Sequence, residues 1–147
     1  MIRPIKGAEL LGMYTVQWKH RIMLLNERLG EYQRRLVAAH ELGHDARHRD
    51  LAKDGGIKEF TLLSLKDRTE YEANAFAAHL LLDNDTIIEM AKNGYTVQQI
   101  AMELNTMMEL VNIKITEMNR LGENLRVPFD NNSCFLSKVH PEEDGWP

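Results

Sequence analysis

The stretch LVAAHELGHDARH, residues 36–48, holds three histidines within nine positions and a glutamate beside the first. On a helix each residue advances about 100°, so His40 and His44 lie one turn apart on one face, where two imidazoles can share a metal ion. Zinc suits such a pair. It takes neutral imidazole nitrogens at about 2.0 to 2.1 Å, and a catalytic site adds a third protein ligand while leaving a fourth position open. Glu41 is too far round the helix to bind the same ion, but it can take a proton from an attacking water and pass it to a leaving amine. The HExxH pattern is short enough to arise by chance, and a solvated helix face rich in histidine is the plain alternative.

A third ligand must come from elsewhere, and DRTEYEANAFAAHLLLD at 67–83 offers Glu70 and Glu72. Glu70 shares a helical face with Ala73, Asn74 and Ala77, whereas Glu72 lies about 200° away and is expected to point outward. A core-facing carboxylate has to be paired or bind a metal, because burying an isolated charge is costly. Asp67 and Glu70 are also spaced as a capping box, in which Glu70 would only tie off the helix start. The HExxH upstream favours the ligand. Asn74, one turn on, is placed to orient Glu70 or a ligating histidine. His48 falls near Glu41 and is read as a neighbour that steadies the site or as a fourth ligand. Asp50 stands where the longer HExxHxxGxxH pattern needs a histidine, which excludes that group of peptidases.

These residues need a scaffold. MYTVQW and RIMLLN, on either side of Lys19 and His20, read as a β-hairpin with Asn26 opening a turn. From Glu31 to about Arg49 the pattern is helical, with Leu36, Ala39, Gly43 and Ala46 as a small apolar stripe. The histidines and Glu41 fall on a face opposite Leu42 and Ala46, so packing and chemistry are expected to segregate. Gly43 costs about 1 kcal/mol in a helix interior relative to alanine, which suggests that another backbone passes close by. KDGG at 53–56 is a turn, and 57–65 is a strand or an extended loop. Shorter helices follow at about 85–92, at 97–104 capped by Thr96 with Gln99, and at 107–121 closed by Gly122. The reading is an α+β domain over 1–122, in which a small antiparallel β-sheet packs against the HExxH helix. Its carboxy-terminal helical group, about 85–122, resembles a helix-turn-helix, and 123–147 is an irregular tail.

HELGHDARH followed by EYEANAFAAHLLL, after a hairpin and before small helices, resembles the ImmA/IrrE metallopeptidases of bacteria, prophages and mobile elements, over most of residues 10–122. That resemblance implies one zinc ion held by His40, His44 and Glu70, the last from the E-x-x-A-N motif, with Glu41 as catalytic base. It also implies a protein substrate, since known members cleave helix-turn-helix repressors. Where the family often has a proline after the LL of its second motif, this chain has Asp83.

Composition agrees with a single intracellular domain. The chain has 147 residues, 44% of them hydrophobic, and a net charge of -4, which gives no general attraction to phosphate backbones. Its lone cysteine, Cys134, cannot form an internal disulfide, and neither a secretion signal nor a membrane span is evident, so the expected location is the cytoplasm. A rival reading is a DNA-binding or non-catalytic repressor-binding regulator using residues 96–115. Glu109 and Glu117 against Lys114 leave that segment little to neutralise phosphate, so a packing unit or a dock for the substrate protein is favoured. Tyr71 and the hairpin are candidate oxyanion donors, with nothing to choose between them. Cys134 or His140 could reach the metal from the tail and keep the enzyme latent, although a partly buried thiol is the simpler role. His20 and His79 are expected on the surface.

Overall fold

A computed structural model describes residues 1–5 and 10–129. The chain is α+β and divides into two compact units, Met1–Asp83 and Asn84–Pro147. The first contains β1 (Ile2–Ile5), β2 (Gly12–Gln17), β3 (His20–Asn26), α1 (Glu31–Arg47), β4 (Ile57–Glu59) and α2 (Arg68–Leu81).

The strand order is β1-β3-β2-β4. The hairpin forms as expected, with Gly12 opposite Leu25 and Gln17 opposite His20. Its turn falls on Trp18 and Lys19 rather than on Lys19 and His20, and both have positive φ, 48° and 66°. Such a two-residue turn matches the right-handed twist of its strands. The short β4 joins β2 in antiparallel fashion, placing Glu59 opposite Gly12. To this antiparallel core β1 adds a parallel edge on β3, a strand the sequence did not announce. It is four residues long and contains Pro4, which an edge strand tolerates.

One face of the sheet meets α1. Met23 and Leu25 from β3 cluster there with Leu29 and Val37, and Leu11, Ala38 and Leu62 pack around them. Tyr14 on the same face donates its hydroxyl to Asp45 of α1 at 2.7 Å, and Arg21 holds the same carboxylate at 2.9 Å. Burial and the Asp45 carboxylate together push the Tyr14 phenol up to about 12.

The expected segregation of packing from chemistry on α1 is not what forms. Leu36, Ala39 and Gly43 are buried, but Ala46 and Leu42 are exposed, while His40, Glu41, His44 and His48 are all buried. The sheet on one side and α2 on the other cover the histidine-bearing face. Helical periodicity separates the two faces of α1, but which of them is covered depends on the neighbours that pack against it.

The second unit, by itself, holds α3 (Asn84–Lys92), α4 (Val97–Glu103) and α5 (Met108–Arg120). Thr96 and Gln99 form the anticipated capping box at the start of α4. Asn105, at φ 49°, makes the turn between α4 and α5. Lys114, the cation a recognition helix would offer to phosphate, is buried with its ammonium on the Asn84 side chain. Residues 123–129 carry no helix or strand, and Cys134 and His140 lie outside the described residues. No helix among the described residues is long and apolar enough to cross a membrane.

Candidate metal centre

Two glycines set the backbone around the candidate residues. A Cβ on Gly43 would come within 2.8 Å of Ala73 Cα and 2.9 Å of its carbonyl oxygen, so α1 and α2 meet at backbone distance. That is the close approach its place in mid-helix suggested. A Cβ on Gly12 would lie 2.6 Å from Val37 Cγ1 and 2.7 Å from Glu41 Oε1, so β2 leaves room for the Glu41 carboxylate. Gly43→Val is expected to overpack the seam and cost about 1–3 kcal/mol, read as a lower Tm in thermal unfolding. An unchanged Tm would mean that the seam has slack.

With the helices this close, one atom from each of His40, His44 and Glu70 lies within 4.8 Å of the others, and all three residues are buried. The Nε2 atoms of His40 and His44 are 3.0 Å apart. Glu70 Oε2 is 3.2 Å from His40 Nε2, and its Oε1 is 3.5 Å from His44 Nε2. Capping falls to Asp67, whose carboxylate accepts the Glu70 amide at 2.9 Å. The Glu70 carboxylate itself turns to the histidines.

The outer hydrogen bonds decide what the facing nitrogens can do. Asn74 Nδ2 donates to the Ser64 carbonyl at 2.7 Å, so its Oδ1 faces His40 Nδ1, also at 2.7 Å, as an acceptor. His40 Nδ1 must then carry the hydrogen. On the other side His48 Nε2 donates to Glu72 Oε2 at 3.0 Å, which leaves the Nδ1 of a neutral His48 to accept from His44 Nδ1, again at 3.0 Å. With both rings neutral each is bare at Nε2, so the facing lone pairs call for positive charge between them, a shared proton or a metal ion.

Glu72 is the residue whose position departs most from expectation. Its side chain is partly exposed, as its place on the helix implies, but it reaches round to His48 and is held there by Arg68 at 2.7 Å. His48 lies behind His44, away from the facing Nε2 atoms. His20 and His79 are exposed, as expected.

The charge balance points the same way. Glu41, with 0% exposure, has no hydrogen-bond partner on either carboxylate oxygen, and Glu59 Oε2 and Glu70 Oε2 are likewise buried, each lying against His40 Nε2 without an aligned hydrogen bond. Burial, reinforced by Glu59 and Glu70, pushes Glu41 up to about 8, against the pull of His40. Burial lowers His40, but the Glu59 and Glu70 carboxylates against it prevail and hold it at about 10. Burial likewise raises Glu70, yet His40 and His44 bring it well below the usual carboxylate range. Burial holds His44 below its ordinary value. Three buried carboxylates around two imidazoles favour positive charge at this point, and a dication answers that better than one proton. Nitrogen and oxygen donors of this kind fit zinc.

Glu59 is the site residue that sequence reasoning missed. It sits at the end of a three-residue strand in a segment without clear periodicity, and only the pairing of β4 with β2 turns it inward. Its one sequence signal is a carboxylate in an otherwise apolar-leaning run.

Residues 1–116 match the model of a peptidase family described as the IrrE N-terminal-like domain. The chain belongs to this family. It is 33% identical over 106 residues to an uncharacterized immunity region protein 2 of Bacillus phage phi105, an alignment covering 72% of this chain and 66% of that protein. No solved structure matches the chain.

Proposed function

We propose that this protein is a zinc-dependent peptidase acting inside the cell on a regulatory protein, with a helix-turn-helix repressor as the substrate class. The carrying observation is the buried meeting of His40, His44 and Glu70 with their Nε2 and carboxylate atoms turned on one another, beside the unpartnered carboxylate of Glu41. Family membership supports the peptidase, and the immunity-region relative supports a regulatory target.

In this reading His40, His44 and Glu70 hold one zinc ion. When bound, zinc supplies Lewis-acid polarisation of the scissile carbonyl and lowers the pKa of water. Glu41 takes the proton from the attacking water and delivers it to the leaving amine. Its carboxylate suits that work: it is buried, free of competing hydrogen bonds, and kept in place by the space that Gly12 leaves. The burial that raises it toward neutrality raises its basicity, while a cation nearby keeps it ionised. Asn74 fixes the ring of His40, and His48 with Glu72 fixes that of His44, so that each presents Nε2.

The outer partners can be tested apart from activity. His48→Leu is expected to weaken zinc affinity about 10–100-fold, the usual cost of losing an outer hydrogen-bond partner. His48→Gln is expected to restore most of it, because its amide can accept from His44 and donate to Glu72. Competition with a chromogenic chelator measures both, and equal affinities in the two variants would remove the orienting role.

The reading as a whole is tested by incubating the zinc-loaded protein with a helix-turn-helix repressor encoded beside it and following intact masses. Expected are two fragments whose masses sum to substrate plus water, and none after chelation. Bound zinc with an intact repressor would leave this protein a binder rather than a peptidase of that substrate.

A further inference from the structure

The sheet has a second face. Side chains alternate along a strand, so Tyr14, Met23 and Leu25 meet α1 while Met13, Ile22 and Leu24 lie on the side away from the metal centre. These three are only partly buried. With Met1, Trp18 and His20 they line a hollow of about 480 Å³, within the range of about 300–1,000 Å³ that ligand clefts occupy.

The turn beside the hollow breaks two local rules at once. Trp18 and Lys19 are its central residues, and both have positive φ, a geometry that Asn-Gly adopts far more readily than a bulky aromatic. Trp18 is also 86% exposed, so the fold gains little burial from its indole in return. Strain without a compensating contact is characteristic of residues kept for what they bind. A tryptophan beside an apolar hollow is, moreover, the kind of side chain that anchors protein interfaces.

Charge narrows what could bind. The chain carries a net charge of -4, yet this face of β2, β3 and β4 presents no carboxylate. Lys58 lies opposite Met13, His20 lies opposite Gln17, and Lys19 stands at the tip, all three exposed. The hollow is apolar and its rim is basic, the complement of a segment that is apolar and acidic.

We propose that this face, with Trp18 as its anchor, docks a segment of the protein substrate remote from the bond that is cut. That segment places apolar side chains in the hollow and carboxylates against Lys58 and Lys19. The proposal rests on the reading of this protein as a peptidase of a regulatory protein. Since the face lies across the sheet from Glu41, it holds the substrate and takes no part in hydrolysis.

Replacing the turn by its favoured sequence, Trp18→Asn with Lys19→Gly, separates folding from docking. Expected are a higher Tm, a KM for the intact repressor raised about tenfold or more with kcat unchanged, and unaltered cleavage of a short peptide spanning the cut bond. Lys58→Glu should slow association with the repressor and weaken its salt dependence at constant Tm. A lower Tm in the double variant would give Trp18 a role in the fold and overturn the proposal. So would an unchanged KM for the repressor, including the case in which the variant loses only self-association or binding to anionic lipid vesicles. An association rate indifferent to Lys58→Glu overturns the acidic partner. If the wild type binds the repressor without cutting it, the peptidase reading falls alone, and the same comparison made on the dissociation constant decides this proposal.

Discussion

Glu41→Gln is expected to bind zinc as the wild type does and to hydrolyse its protein substrate about 10²–10⁴-fold more slowly, the range that a general base contributes. The substitution is nearly isosteric, so it fits the space beside Gly12 where a larger group would not. Its effect on the chemistry is the loss of basicity. The amide cannot accept the water proton at neutral pH, and the ligating atoms of His40, His44 and Glu70 belong to other residues. It also relieves a buried carboxylate with no hydrogen-bond partner, so Glu41→Gln should be at least as stable as the wild type. Zinc content, Tm and single-turnover cleavage measured on one preparation check all three. Unchanged cleavage with zinc retained would end the assignment of Glu41 as the base.

Glu70→Ala carries the second large effect. Removing a ligand should weaken zinc binding by more than the roughly 10–100-fold that outer partners cost, and hydrolysis should fall with it. The control is its neighbour two positions on. Glu72→Ala leaves Glu70 in place and removes only the acceptor behind His48, so its loss should lie within that outer range. Competition titrations of the two variants give the order directly. A larger loss in Glu72→Ala would exchange their roles.

Much of this site could be read from one chain because it depends on helical periodicity. His40, Glu41 and His44 fall on one helix face and Glu70 and Asn74 on another, and each relation spans four residues or fewer. Glu70 was separable from Glu72 because a helix turns them about 200° apart. What escaped depends on pairings between distant segments. The inward turn of Glu59 is set by the register of β4 on β2, more than forty residues away in the chain, and three residues are too few to show alternation. The parallel edge β1 has the same origin in contacts with β3. Glu72 shows a subtler limit: its direction on the helix was read correctly, but a long side chain at the flank can still reach a histidine on the neighbouring helix. The burial of the histidine face, with Leu42 and Ala46 left outside, follows from which neighbours arrive and not from α1 itself.

The seam between α1 and α2 has a consequence for how this sequence can vary. At Gly43 and Gly12 the neighbouring atoms leave no volume for even a methyl group, whereas one residue before the first, Leu42 is open to solvent. A saturation library selected only for folded protein should therefore retain glycine at both positions while position 42 and position 46 drift freely through polar types. That two-residue signature would mark the architecture even in descendants that had lost every histidine.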